Sequence, residues 1–300
     1  MTIYDHYNEL FKKLQIKNRE NIINKLMYED YELCKGLITC KNKKNEQIFE
    51  QYGGAKKIKY KFEGYTFVIY ESESTNKISY HINNKSIEDT MEICVHIIVL
   101  KKEKYAYIQN VTSFDKCTLE GMPKSKGGSM LLRLCIQFLK ELKDKYDLTY
   151  IQLKDNSFIF CNQNNTRIDF DSFYMLTHGD TWYGKYGFIP YDPEKEIVDI
   201  EKYSDYKLNQ KLVNIIKVGC INMKPLIKRA VDKLKLHDPF NDKFIDKMME
   251  KYKDRSVMIF MDDLAKTHDL TCGIINNIYI DVMKEIGMTN LHGSTYYLPL

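Results

Sequence analysis

Arginine is nearly absent from this chain: it stands only at 19, 133, 167, 229 and 255, so that 40 of the 45 basic residues are lysine. Lysine, asparagine, isoleucine and tyrosine dominate instead, the signature of an A+T-rich coding sequence, which bears on the source genome and not on chemistry. Net charge is only +4 over 300 residues, too little to argue for nucleic-acid binding. No apolar run reaches the ~18 residues that a membrane span needs. The opening MTIYDHYNEL lacks the plan of a signal peptide, so a soluble cytoplasmic protein is expected, with no membrane partner. The eight cysteines, at 34, 40, 94, 117, 135, 161, 220 and 272, include no CxxC pair. Reduced, mostly buried thiols and no metal site are expected. Internal repeats and low-complexity tracts are absent as well.

What is present is a globular chain, 44% hydrophobic and 13% aromatic. Residues 5–35 carry helical spacing (Tyr7, Leu10, Phe11, Leu14, then Ile22, Ile23, Leu26, Met27) and predict two helices, followed by a polar connector at 41–47. From Lys57 the period changes to two. KIKYKF (57–62) and YTFVIY (65–70) flank Glu63-Gly64, a hairpin signal. KISYHI (77–82), MEICVHIIVL (91–100) and YAYIQNV (105–111) continue as strands with short turns, which implies a largely antiparallel sheet. An amphipathic helix at 130–142 and a strand at 148–153 follow. Beyond Phe188 the period is helical again, near 206–218, 224–236, 241–253, 256–266 and 271–287, and Gly287 is suited to closing the last helix. The apolar ending STYYLPL is read as a docking segment or strand. The fold class predicted is α/β, a mixed sheet of six or seven strands split beside one long helix. The divisions are 1–54 (N-terminal helical), 55–195 (core) and 196–300 (C-terminal helical).

The chemistry concentrates between Tyr105 and Phe188. The loop Lys124, Ser125, Lys126, Gly127, Gly128, Ser129 runs into the central helix. A helix N-terminus offers unpaired N–H groups and the positive end of the dipole, small residues let a phosphate approach, and two lysines add charge. A glycine-bearing turn with solvated lysines is the plainer reading. The loop is neither GxxxxGK[ST] nor GxGxxG. His178 and Asp180 flank Gly179, but no GxSxG exists for a serine hydrolase. His96 reads as a core histidine, and Asp115 and Glu120 as solvated loop carboxylates, so no general base is assigned.

The cluster TWYGKYGF (181–188) adds a pattern. Tyr183, Lys185, Gly187 and Phe188 fit Tyr-x-Lys-x-Gly-Phe at every fixed position, and Lys124, Gly127 and Ser129 fit Q/R-x-x-G-x-G/A with Lys for Arg and Ser for Gly/Ala. Over roughly 57–192 the chain therefore resembles the GNAT (GCN5-related N-acetyltransferase) superfamily. The phrases DNS (155–157) and THGDTWYGKYGF (177–188) are similar to GNAT-like proteins of giant DNA viruses. Two stretches depart from the family, the long passage Thr112–Met122 and an added hairpin at 157–170.

The resemblance implies an acetyl-CoA-dependent N-acetyltransferase in which the strands before and after the helix splay, with the pantetheine arm between them. On that reading Gln109, Asn110 and Val111 give backbone contacts, Lys124 to Ser129 hold the pyrophosphate, Asn156 lies at the split, and Tyr183 protonates the leaving thiolate. The implied cosubstrate is acetyl-CoA without a metal. The acceptor is an amine, whether a small molecule, a polyamine or a protein lysine or N-terminus, and a homodimer through the C-terminal region is an option. The alternative is a degenerate GNAT-fold module with a viral structural or host-interaction role. A tyrosine that only packs in the Trp-Tyr cluster is the competing account of Tyr183.

Overall fold

Glu63 and Gly64 both take positive φ (47° and 84°) and close a two-residue turn between β2 (Ala55–Phe62) and β3 (Tyr65–Glu73), the geometry that matches strand twist in tight hairpins. The structure is a computed structural model. It describes residues 48–52, 55–83, 93–112, 127–161, 166–235, 241–266 and 271–300. The helices expected at 5–35, and Lys124, Ser125, Lys126, Asp115 and Glu120, lie outside the described residues.

The chain is α/β and divides into two units. One comprises 42–155, 187–197 and 293–300, the other 156–186 and 198–292 in addition to its N-terminal part. In the first unit β1 (Ile48–Tyr52) precedes the β2–β3 hairpin. β4 (Lys77–Asn83), β5 (Ile93–Leu100) and β6 (Tyr105–Val111) continue the antiparallel series. Helix α1 (Gly127–Tyr146) then crosses over to β7 (Tyr150–Lys154), which pairs parallel to β6. The last strand, β12 (Thr295–Pro299), lies between β7 and β10 (Ile189–Asp192), antiparallel to both. With β11 (Ile197–Val198) the sheet order is β1-β2-β3-β4-β5-β6-β7-β12-β10-β11. Among the described residues the sheet thus has ten strands rather than about six or seven. The apolar tail does pair as a strand.

Alternation sorts the side chains. Ile97, Val99, Ala106, Ile108, Ile151, Leu153 and Tyr296 are buried, as is the α1 face Leu131, Leu134, Cys135 and Phe138. Phe138 sits edge-on between Tyr60 (5.3 Å) and Tyr80 (5.0 Å). Both tyrosines also reach α1 with their hydroxyls, Tyr60 donating to Glu141 (3.0 Å) and Tyr80 to Tyr146 (3.1 Å). Burying such aromatic area drives the helix onto the sheet.

The second unit contains the hairpin β8 (Phe158–Cys161) and β9 (Thr166–Asp169), as expected for 157–170. Among the described residues six helices accompany it: α2 (Phe170–His178), α3 (Ile200–Ile215), α4 (Met223–Leu234), α5 (Asp242–Tyr252), α6 (Val257–Lys266) and α7 (Thr271–Ile286). Their core includes Met175, Leu176, Leu212, Val213, Phe260, Met261, Ile274 and Val282. Asp199 caps α3 and Asn241 caps α5, each accepting from a backbone N–H of the first turn. Gly287 (φ 75°) ends α7, as its sequence position suggested. Asn209, buried, accepts from the Thr289 N–H and donates to its carbonyl, so a polar side chain is satisfied inside an apolar core.

The cysteines depart from the expectation of reduced thiols: Cys94 and Cys161 are each disulfide-bonded. Cys135 is free and buried, whereas Cys220 is free and exposed. No described helix is long and apolar enough to cross a membrane.

Candidate functional site

The β6–α1–β7 crossover builds a cleft from three local facts. The first is where pairing stops. β6 and β7 are in register from Tyr105↔Tyr150 to Ile108↔Leu153 and no further. Beyond that point Asn110 and Val111 pair with His96 and Val95, and the Thr112 N–H donates to the Cys94 carbonyl (2.8 Å). On the other side Lys154 pairs with Thr295, and Asp155 exchanges backbone hydrogen bonds with Ser294 (2.9 Å) and Gly293 (2.8 Å). Each strand therefore follows its outer neighbour, and the two part.

The second fact is a bulge. Ile108 faces Ile97 while Asn110 faces His96, so Gln109 is the extra residue. A bulge bends its strand and raises the local twist, and this one sits at the point of parting. Gln109 is exposed and Asn110 and Val111 are half-buried.

The third is the helix start. Gly127, Gly128 and Ser129 form the first turn of α1, so the helix begins three residues earlier than the expected 130, and that turn contains no acidic residue. Glycine accepts helical torsions, and Gly127 is buried, so Gly127 to Ser129, read as the end of a loop, belong to the helix instead. Leu148 donates to the Lys143 carbonyl at the other end of α1, and the Thr149 N–H donates to the Lys104 carbonyl (2.8 Å). The C-terminus of α1 is thereby pinned where β6 begins. Twenty residues then run back ~30 Å, carrying the N-terminal turn Gly127 to Ser129 toward the open ends of β6 and β7.

Asn156 and Tyr183 belong to the other unit and are described within it. Asn156 is exposed. Tyr183 is 8% exposed, with its ring edge-on to Trp182 at 4.9 Å. Trp182 also meets Phe170 (5.7 Å) and Tyr186 (6.2 Å). The short 3-10 turn Gly184–Tyr186 is fixed from below: the Gly184 N–H donates to Thr181 Oγ1 (2.9 Å), while Asp180 accepts from Tyr206 Oη (2.5 Å) and from the Thr181 N–H. A Cβ at Gly184 would collide with Asp180 Oδ1 and lie 2.5 Å from Tyr206 Oη. Burial pushes the Asp180 carboxyl upward, and the Tyr206 hydrogen bond counters it. Lys185 donates to Tyr174 Oη (3.1 Å), and its ammonium also lies 4.9 Å from the Tyr186 ring centroid. In the sheet unit Gly187 takes φ 89° and Phe188 is fully buried.

The remaining candidates have structural roles. His178 stacks on Tyr174 at 3.9 Å and its Nδ1 lies 2.6 Å from Thr177 Oγ1. Asp180 is occupied as above, so the pair forms no triad with a serine. His96, half-buried in β5, lies 4.3 Å from His81 across the strand pair, and its buried Nε2 has no hydrogen-bond partner among the described residues. Among the described residues no cluster of His, Cys, Asp or Glu is suited to hold a metal.

A feature the sequence reading missed lies on the sheet face away from α1. Tyr105 and Tyr150 stack at 4.9 Å, and Tyr191 and Tyr297 meet at 4.9 Å. Burial first, then hydrogen bonding from Tyr191, raises the Tyr150 hydroxyl well above its usual range. These tyrosines come from four strands, and only their alternation marks them. Comparison with protein families, with curated proteins and with solved structures finds no match for this chain.

Proposed function

We propose that the chain is an acetyl-CoA-dependent N-acetyltransferase in which an amine attacks the thioester directly. The observation that carries this reading is the parting of β6 and β7 after Ile108↔Leu153, with the N-terminus of α1 at Gly127 to Ser129 directed to the same end. A parted pair turns the β7-facing backbone edge of Gln109, Asn110 and Val111 toward the amides of a pantetheine arm. The positive end of the helix dipole at Gly127 to Ser129 suits its pyrophosphate, with Lys124, Ser125 and Lys126 immediately upstream in sequence. Backbone N–H groups at the split would stabilise the oxyanion. Asn156 and Tyr183 enter by the sequence pattern, Asn156 at the split and Tyr183 as the acid that protonates the departing sulfur.

Calorimetry with acetyl-CoA tests the reading. Binding at or below ~1 mM, a free energy of about −4 kcal/mol or better, is expected, and silence at that concentration would end it. Tyr183→Phe should leave acetyl-CoA affinity within a few-fold and lower transfer by about 10²-fold or more.

One observation favours a second reading, a non-catalytic module with a structural or host-interaction role. Tyr183 is buried with its ring edge against Trp182, as a packing residue would be. On that reading, Tyr183→Phe leaves any transfer rate unchanged.

A further inference from the structure

The sheet face away from α1 contains a hollow of about 420 Å³, within the range of small-molecule sites. Its apolar wall is Ile98 and Leu100 of β5 with Tyr105 and Tyr107 of β6. One end is polar, with Gln152 and Lys154 of β7 and Thr295 of β12; Lys77 of β4 lines it as well. Lys154 and Thr295 are register partners immediately beyond Leu153, so the polar end lies where β6 and β7 part.

Charge decides what such a hollow accepts. Among the described residues no carboxylate lines it. The nearby lysines are neutralised: Lys101 by Glu73 (2.5 Å) and Lys104 by Asp147 (2.6 Å). Among the described residues Lys77 and Lys154 form no ion pair. Two lysines lining a hollow with tyrosine and aliphatic walls repel a polyamine and attract an acid attached to an apolar body.

The geometry points to an acceptor that is an amine carrying its own carboxylate beside a large apolar group, the chemistry of an aromatic or bulky aliphatic amino acid. This rests on the acetyl-transfer reading. The carboxylate lies against Lys154, Gln152 and Thr295, which holds the adjacent nitrogen at the split, and the side chain lies along Tyr105, Tyr107, Ile98 and Leu100. The substrate ammonium gives its first proton to solvent before attack, a loss that neighbouring positive charge favours. That nitrogen attacks the thioester carbonyl. A C–N bond forms, the C–S bond breaks, and the proton lost by nitrogen is balanced by the one gained at sulfur, leaving an N-acetyl amino acid and free CoA thiol.

The test compares phenylalanine, phenethylamine and spermidine by calorimetry on the full chain without acetyl-CoA. Phenylalanine is expected to bind, and phenethylamine, which differs by the carboxylate alone, at least 10-fold more weakly, with spermidine weaker still. Lys154→Met keeps the aliphatic stem; it should weaken phenylalanine at least 10-fold and leave the thermal midpoint and acetyl-CoA affinity nearly unchanged. Equal or tighter binding of phenethylamine or spermidine overturns the inference, as does no phenylalanine binding or indifference to Lys154→Met. Acetyl-CoA binding measured separately tells the two failures apart. If acetyl-CoA binds and phenylalanine does not, the acceptor class alone is wrong. If phenylalanine binds and acetyl-CoA does not, acetyl transfer falls and the acceptor role with it.

Discussion

Arg133 and Glu63 stand 70 positions apart and meet as a fork, Nε and Nη2 donating to the two carboxylate oxygens at 2.8 and 2.7 Å. The contact ties the β2–β3 turn to the second turn of α1. Both groups are well exposed, so the pair is screened, and Arg133→Ala should cost only about 0.5–1 kcal/mol. The hydrogen bond from Arg133 holds the Glu63 carboxyl below its usual range. A carboxyl lowered in the folded state stabilises fully above its unfolded value, about 4.3, and loses that contribution as pH falls through the folded value. Urea titrations of both proteins should therefore differ at pH 7 and converge as pH falls below the folded value of Glu63.

Phe138 holds α1 to the sheet from a fully buried position between Tyr60 and Tyr80. Phe138→Ala removes a ring with two edge-on partners and should cost about 3–5 kcal/mol. Phe138→Leu should cost distinctly less. Equilibrium denaturation measures both. A loss under ~1 kcal/mol for the alanine variant would mean that the helix is held elsewhere.

His81 and His96 face each other across β4 and β5, and burial lowers both imidazoles, His96 further through His81 and Lys77. The folded chain then binds fewer protons than the unfolded one just below the unfolded value of about 6.5, so stability declines as pH drops from there. Thermal midpoints of wild type and His96→Leu between pH 5 and 8 should show a shallower decline in the variant.

Thiol labelling reports on the cysteines. Cys220 is exposed and should react in the native protein, whereas Cys135 is buried, its thiol raised by that burial, and should react only on unfolding. Because Cys94 and Cys161 are disulfide-bonded, the chain unfolded without reductant should give fewer than the eight thiols of its sequence. Recovery of all eight would remove those bonds from the account.

Much of the scaffold was legible because its signals are local. Glu63-Gly64 states a hairpin by turn chemistry, the alternation at 105–111 and 148–153 states strands, and Ile274, Ile275, Ile278, Val282 and Ile286 state a helix by period. Local signals fail where an element is short or depends on distant partners. α2 is a single nine-residue stretch, too short for a period to emerge beside the hairpin before it. The sheet is wider than expected because β1, β10 and β11 are short strands of five, four and two residues that only neighbours define. For the site, the motif residues could be named, but the parting of β6 and β7 depends on where pairing stops, which no stretch of sequence records. The hollow was invisible for the same reason: Lys77, Tyr107, Lys154 and Thr295 are single residues on four strands.

The place of β12 between β7 and β10 has a consequence in time. Leu153 finds its partner Tyr296 only after about 140 further residues have been made, roughly 7–30 s of synthesis at ~5–20 residues per second. Throughout that interval β7 presents an unpaired edge, the kind of edge that recruits foreign strands. Nascent chains halted before residue 295 should accordingly be captured by chaperones or aggregate, and adding the 293–300 peptide in trans should suppress that by sealing the gap.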